Sequence, residues 1–194
     1  MSNPIAICNS ALLTLGANTI NALSDTSLEG RACNAKWDIA RKDLIRSHPW
    51  NFAVRRAQLA ATVLGPEYQY SYKFTLPANA LRLLEVFTNY EYRIEGRDIL
   101  TNDISNPNAP QIEIKYVSDV TDPSTWDANF TNVMVYRMAM ELAYTLPGKN
   151  TMIEQMAMMY TSFLEQAKGV DASEDVEDPL DPFTSPMIAT RFHY

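Results

Sequence analysis

Residues 130–146 constrain the fold of this chain more than any other part of its sequence. The segment is apolar almost all the way round a helix, and only Arg137 and Glu141 in it are charged. A helix without a polar face has to be covered on most of its sides, by its own chain or by a neighbouring subunit. The sequence therefore predicts a central helix, and we expect part of its surface to face a neighbouring subunit.

Two helices are predicted before this one. Asn3 can cap the first, and Gly16 closes it. The second begins at a capping box of Thr26 and Glu29 and runs to about His48, because the residue before a proline disfavours the α conformation. Helical spacing predicts two buried stripes: Ile5, Cys8, Leu12 and Leu15 on the first helix, and Cys33, Trp37, Ala40 and Leu44 on the second.

A fourth helix is predicted after the break at Pro147-Gly148. A capping box of Thr151 and Glu154 starts it, and Gly169 is expected to end it. Its predicted buried stripe consists of Ile153, Met156, Tyr160, Phe163 and Ala167. The chain thus has two predicted helices near its start and two more beyond residue 122.

Between the second and third helices the hydrophobic period changes to two. Residues 68–75 alternate, residues 83–88 are rich in strand formers, residues 90–95 alternate again, and Gly96 marks a turn into Ile99-Leu100. Later Ile112, Ile114 and Tyr116 share one face, while Gln111, Glu113 and Lys115 share the other. This pattern is typical of a small, largely antiparallel sheet with one solvated face.

The predicted fold class is α+β: a four-helix bundle, a small mainly antiparallel β-sheet inserted between helices 2 and 3, and an extended C-terminal arm. Residues 1–49 and 122–170 form the bundle, residues 50–121 the β-rich insertion, and residues 171–194 the arm. Residues 171–181 carry acid without base, so we expect an extended, solvated spacer. The predicted partner-binding residues follow it: Phe183, Met187, Ile188, Arg191, Phe192 and Tyr194.

The formal net charge of −7 predicts repulsion of nucleic acid and of anionic membrane surfaces. The first residues lack a basic leader, and their apolar stretch is too short to span a bilayer, so no membrane association is expected. Cys8 and Cys33 lie among apolar residues and are predicted to be buried free thiols in a reducing cytosol.

No catalytic residue, cofactor or metal is predicted, and the chain is not expected to be an enzyme. Glycine-rich phosphate loops, nucleophile elbows and zinc-protease motifs are missing from the sequence. His48 is expected to bind the last carbonyls of its helix, and His193 lies in the arm. The acidic residues 171–181 lack the spacing of a calcium loop.

Residues 31–56 carry seven cations against two acids, with aromatic residues interleaved. That pattern is typical of proteins that bind single-stranded nucleic acid. Trp37, however, belongs to the apolar stripe of the second helix, so a solvated helix face is the favoured interpretation. The cations assigned to that face are Arg31, Lys36, Arg41, Lys42 and Arg46.

Several motifs add a more specific indication. The chain opens with Ile5-Ala6-Ile7-Cys8-Asn9-Ser10-Ala11-Leu12 and Leu15-Gly16, followed by Leu28-Glu29-Gly30 and by Ser47-His48-Pro49-Trp50-Asn51-Phe52-Ala53. Further along stand Leu76-Pro77, Leu81-Arg82-Leu83-Leu84-Glu85-Val86, Tyr92-Arg93-Ile94-Glu95-Gly96, Ile99-Leu100-Thr101-Asn102, Ile114-Lys115-Tyr116 and Asp122-Pro123. In their order and spacing these motifs resemble the tail tubular protein A family, the head-to-tail adaptors of short-tailed bacteriophages. The resemblance covers roughly residues 4 to 168.

This resemblance implies a structural virion protein that has no catalytic residues. Family members form a dodecameric ring between the portal protein and the tail nozzle protein, and DNA passes through their channel without specific binding. The resemblance also implies localisation in the virion neck after assembly in the cytoplasm of a bacterial host. Two alternatives stay open: a different neck connector, such as a head-completion or stopper protein, and, less favoured, a nucleic-acid-binding protein.

Overall fold

Helices at both ends of the chain enclose a series of strands in sequence order. The computed structural model describes residues 3–63, 65–66, 68–88, 91–102, 110–148 and 150–174. The helices are α1 (Pro4–Thr14), α2 (Leu28–Ser47), α3 (Ala128–Thr145) and α4 (Ile153–Glu174). The strands are β1 (Val54–Ala60), β2 (Tyr72–Thr75), β3 (Ala80–Phe87), β4 (Tyr92–Glu95), β5 (Asp98–Thr101) and β6 (Gln111–Ser118). Short 3-10 helices, Pro123–Thr125 and Asn150–Met152, precede α3 and α4. The mixed α+β class is therefore confirmed.

The ends of α1 have the predicted chemistry. Asn3 Oδ1 accepts a hydrogen bond from the backbone N–H of Ala6 at 2.7 Å, which satisfies one of the free donors of the first turn. Gly16 follows the helix with a φ of 61°, in the left-handed region that glycine adopts without strain. Of the predicted stripe, Cys8, Leu12 and Leu15 are buried.

The predicted cap of α2 is wrong by one residue. Ser27, not Thr26, is the N-cap, and its Oγ accepts from the N–H of Gly30 at 3.1 Å. The capping box does not form because a cap at Ser27 places Gly30, which has no side chain, at the third helical position. Glu29 Oε1 accepts from Asn18 Nδ2 at 3.3 Å instead. The carboxylate thus ties the start of α2 to the preceding loop. The predicted stripe of Cys33, Trp37, Ala40 and Leu44 is buried.

Helix α3 is the central helix of the chain, as the sequence predicts. It packs against α1, α2 and α4. Its buried residues are Phe130, Val133, Met134, Met138, Ala139, Leu142 and Ala143. Three helices of the same chain therefore cover most of α3. Tyr144, near its end, is 66% exposed. The expectation that some of the surface of α3 faces a neighbouring subunit stays a prediction.

The strands form two antiparallel three-stranded sheets where the sequence predicted one. The strand orders are β1-β6-β3 and β2-β5-β4. Apolar residues from both sheets meet in a second, smaller core. This core contains Phe74, Ala80, Val86, Ile99, Ile112, Ile114 and Tyr116.

The predicted alternation over residues 68–75 is only half correct. Strand β2 begins at Tyr72, and the side chain of its residue Phe74 is fully buried. Gln69, however, has a φ of 71°, which interrupts the extended conformation, and Tyr68 is 78% exposed. Asn102 Nδ2 donates to the carbonyl of Gln69 at 3.1 Å and holds this turn against the end of β5.

The predicted end of the last helix is also wrong. Helix α4 continues past Gly169 to Glu174. Nothing lies within 4 Å of the position where a Cβ would stand at Gly169, so no close approach requires a glycine there. Of the stripe predicted for this helix, Met156 and Ala167 are buried, while Ile153, Tyr160 and Phe163 are partly buried against the same core.

Candidate interaction surfaces

The last turn of α4 is bound to the corner between α2 and β1. Asp171 is buried there, and its Oδ2 lies 3.0 Å from Nε2 of His48. Its Oδ1 accepts from the N–H of Asn51 at 3.0 Å, and Asn51 Nδ2 donates to the carbonyl of Asp171 at 2.8 Å. Two predictions are therefore wrong. His48 binds a carboxylate rather than the carbonyls of its own helix. Asp171 is not part of a solvated spacer, because His48 and the N–H of Asn51 compensate the burial of its carboxylate.

This junction fixes the point from which the predicted arm leaves the fold. Residues 171–174 belong to α4, so any arm begins after Glu174 rather than after Gly169. The predicted partner-binding residues Phe183, Met187, Ile188, Arg191, Phe192 and Tyr194 lie outside the described residues.

A cleft of about 380 Å³ lies next to the same corner. We call it the basic cleft; its lining residues are Pro49, Asn51, Val54, Arg55, Arg56 and Lys115. Arg56 of β1 is paired directly with Lys115 of β6, so two cations stand opposite each other on one sheet face. Like charges in that position destabilise a sheet. The sequence could not identify this cluster, because Arg56 and Lys115 are almost sixty residues apart in the chain and meet only through the pairing of β1 with β6.

The prediction that Arg41 lies on the solvated face of α2 is wrong. Its side chain is 3% exposed and forms an ion pair with Asp119 in the link between β6 and α3. Arg41 Nη2 also lies 3.3 Å from Asp38 Oδ1, and Nη1 donates to the carbonyl of Val120 at 3.3 Å. Buried charges need such partners. Arg41 therefore joins α2 to the chain that leaves the sheets.

The two charged residues of α3 connect three helices. Arg137 Nη2 lies 3.2 Å from Asp43 of α2 and 3.2 Å from Glu141 of its own helix. Glu141 in turn lies 3.2 Å from Lys36 Nζ, and the guanidinium of Arg137 lies 5.5 Å from the ring centre of Tyr160 in α4. Because these contacts depend on geometry, they select one alignment of α2, α3 and α4.

The prediction of two buried free thiols is confirmed for Cys8 and Cys33. A hydrogen bond to Cys33 and burial both raise the pKa of the Cys8 thiol far above its ordinary value. A thiol held protonated is a poor nucleophile. The same hydrogen bond lowers the pKa of Cys33, so only the Cys8 thiol is held protonated in this way.

Several residues of the quoted motifs hold chain reversals together. Asn9 binds the backbone of Ile20 in both directions: Nδ2 donates to its carbonyl at 2.9 Å, and Oδ1 accepts from its N–H at 2.8 Å. Trp50 is buried, and its Nε1 donates to the carbonyl of Leu44 at 3.0 Å. His48 and Asn51 hold the end of α4, as described above. These motif positions have local structural roles.

The described ranges contain neither a metal-binding cluster nor a membrane-spanning helix. No group of three or more His, Cys, Asp or Glu residues placed there could hold a metal ion. Nor does any helix among the described residues combine the length and apolarity needed to cross a membrane.

No family model matches the chain, and no curated protein matches it. The resemblance to tail tubular protein A therefore depends on the motif residues alone.

Proposed function

We propose that this chain is a ring-forming structural adaptor of a bacteriophage neck, which joins the portal protein to the tail nozzle protein. The observation that carries the proposal is the order of its elements. Two helices precede six strands and two helices follow them, and α1, α2 and α4 all pack on α3. A helical body interrupted by a β-rich insertion is the architecture that the motif resemblance implies.

In this proposal α1 to α4 form a four-helix bundle, β1 to β6 form the insertion, and residues after Glu174 form an arm. The two cores support this division, because the larger one gathers residues of all four helices and the smaller one gathers residues of the strands. Twelve copies form the ring, and its channel is the path of the DNA during genome ejection. The net charge of −7 suits a wall that DNA passes without binding.

The arm supplies the attachment to portal in this proposal. Its apolar and arginine residues are of the types that most often carry interface energy. The bonds of Asp171 to His48 and Asn51 give the arm a fixed point of departure, which lowers the entropy lost when it binds. The residues assigned to the contact are Phe183, Met187, Ile188, Arg191, Phe192 and Tyr194.

Purified portal mixed with the chain tests the proposal. Native mass spectrometry should show twelve copies added to one portal, and negative-stain images should show an extra ring. Replacing Arg191, Phe192 and Tyr194 together by Ala should weaken this attachment at least tenfold, while replacing Thr184, Ser185 and Thr190 by Ala should leave it unchanged. The melting temperature of both triple variants should equal that of the original chain.

Portals that stay bare at high chain concentration would overturn the proposal. Nozzle protein separates an adaptor from another neck connector. It should bind the portal only after the chain has added its ring, since the adaptor lies between the two. Nozzle that binds portal directly, or a ring that accepts no nozzle, would assign the chain to a different connector class.

A further inference from the structure

The basic cleft is lined by three cations and by no carboxylate among the described residues. None of the ion pairs formed within the described part of the chain includes Arg55, Arg56 or Lys115. Glu85 of β3 stands opposite Lys115 in the register but forms no ion pair with it. An anionic group placed in the cleft would relieve the repulsion between Arg56 and Lys115.

The last turn of α4 is bonded to a residue that lines this cleft. Asn51 lines the cleft and also binds Asp171, three residues before the end of α4. Arg56 follows Asn51 by five positions, so their Cα atoms lie at most about 18 Å apart. The seven residues that follow Glu174 can extend about 25 Å. Because Asn51 and the cations line the same cleft, residues 175–181 are long enough to extend along it from the last turn of α4.

The composition of this segment is complementary to the cleft. Residues 175–181 contain four carboxylates, Asp175, Glu177, Asp178 and Asp181, and no base. Carboxylates bind arginine through short, charge-assisted hydrogen bonds. Because the segment is tethered to the cleft, its effective concentration there is on the order of millimolar, well above that of a free competitor.

We propose that residues 175–181 bind the basic cleft of their own chain. The inference goes beyond the adaptor function and holds whether or not the chain forms a ring. It replaces the solvated spacer predicted from composition with a docked one. Nucleic acid is the competing occupant, and the net charge of −7 disfavours it.

Backbone ¹⁵N relaxation of the full chain tests this docking. In low salt, residues 176–181 should have order parameters near 0.8, typical of restrained backbone, and these should fall below about 0.6 when Arg56→Gln and Lys115→Gln are combined. High salt should have the same effect, because it screens the attraction. Replacing Arg31 and Lys42 by Gln removes the same charge from an exposed face of α2 and should change nothing.

Exchanging the charges of the cleft and the segment shows whether a cleft variant acts through its charge or through loss of the fold. Arg56→Glu with Lys115→Glu should release the segment, and adding Asp175→Lys with Asp178→Lys should restore its order parameters. Segment amides that are mobile in the original chain at low salt would overturn the proposal. Restraint that ignores the cleft variants, or that rises with protein concentration and so comes from a neighbouring copy, would overturn it as well.

Discussion

Single residues fix the reversals of this chain, and Gly30 is the most demanding of them. It lies in the first turn of α2, where a Cβ would stand 2.5 Å from the carbonyl oxygen of Asp25. Asp25 cannot easily move away, because its carboxylate accepts from the N–H of Asn21 at 2.8 Å and of Ala22 at 3.2 Å. The loop and the start of α2 are thus in direct backbone contact, which only glycine permits.

Gly30→Ala should therefore destabilise the protein although alanine favours helices. We expect a loss of about 1–3 kcal/mol, the cost of forcing atoms into a packed site. The matched control is Gly169→Ala in α4, where a Cβ meets nothing within 4 Å. That change should raise stability by about 0.5–1 kcal/mol through helix propensity alone. Urea unfolding measures both, and equal effects of the two substitutions would contradict the close contact at Gly30.

At the scale of elements, the last turn of α4 is bonded to the α2–β1 corner through one residue, Asp171, by its carboxylate and its backbone carbonyl. Asp171 is the group through which the last turn of α4 bonds to the α2–β1 corner, and it accepts from partners on both sides of Pro49. Helix α3 shows the opposite arrangement, since many apolar contacts hold it between three helices. The last turn of α4 should therefore open far more readily than α3.

Asp171→Ala should release the last turn of α4 and leave the rest of the fold in place. The substitution leaves the N–H of Asn51 without its acceptor, so we expect the free energy of unfolding to fall by about 1–3 kcal/mol. Hydrogen exchange should accelerate at residues 168–174 and stay unchanged at residues 130–143. Glu174→Ala, an exposed change in the same turn, is the control and should alter neither. Uniform acceleration over the whole chain would show that Asp171 supports the global fold instead.

For the whole molecule, the charge distribution matters more than its sum. The chain is acidic, yet Arg55, Arg56 and Lys115 meet in one cleft. If residues 175–181 occupy that cleft, its three cations are paired with carboxylates and are not offered to DNA. The same cations become a binding site for phosphate when the acidic segment is neutralised.

DNA retention should therefore separate two variants of equal net charge. The original chain should pass a duplex-DNA column at physiological salt. Neutralising Asp175, Glu177, Asp178 and Asp181 to Asn or Gln should cause retention that falls steeply with salt. Replacing Glu91, Glu95, Glu154 and Glu165 by Gln removes the same four charges from exposed positions elsewhere and should not cause retention. Strong binding by the original chain would instead favour a nucleic-acid-binding function.

Local chemistry and periodicity determined the elements of this protein. Some features follow from interactions within a few residues, so the sequence predicts them directly. They are the cap at Asn3, the left-handed Gly16, the apolar α3 and the shared face of Ile112, Ile114 and Tyr116. The candidate site was less accessible to such reasoning. The six proposed anchor residues lie beyond the described chain, and the basic cleft was not predicted at all.

Tertiary structure alone decided which polar residues are buried. Arg41 and Asp171 look solvated in sequence because their partners, Asp119 in one case and His48 with Asn51 in the other, are 78 to 123 residues away. The division of the strands into two sheets and the pairing of Arg56 with Lys115 depend in the same way on register between distant segments. A charge is buried or exposed according to what the fold places against it, and contacts over such separations leave no periodic trace along the chain.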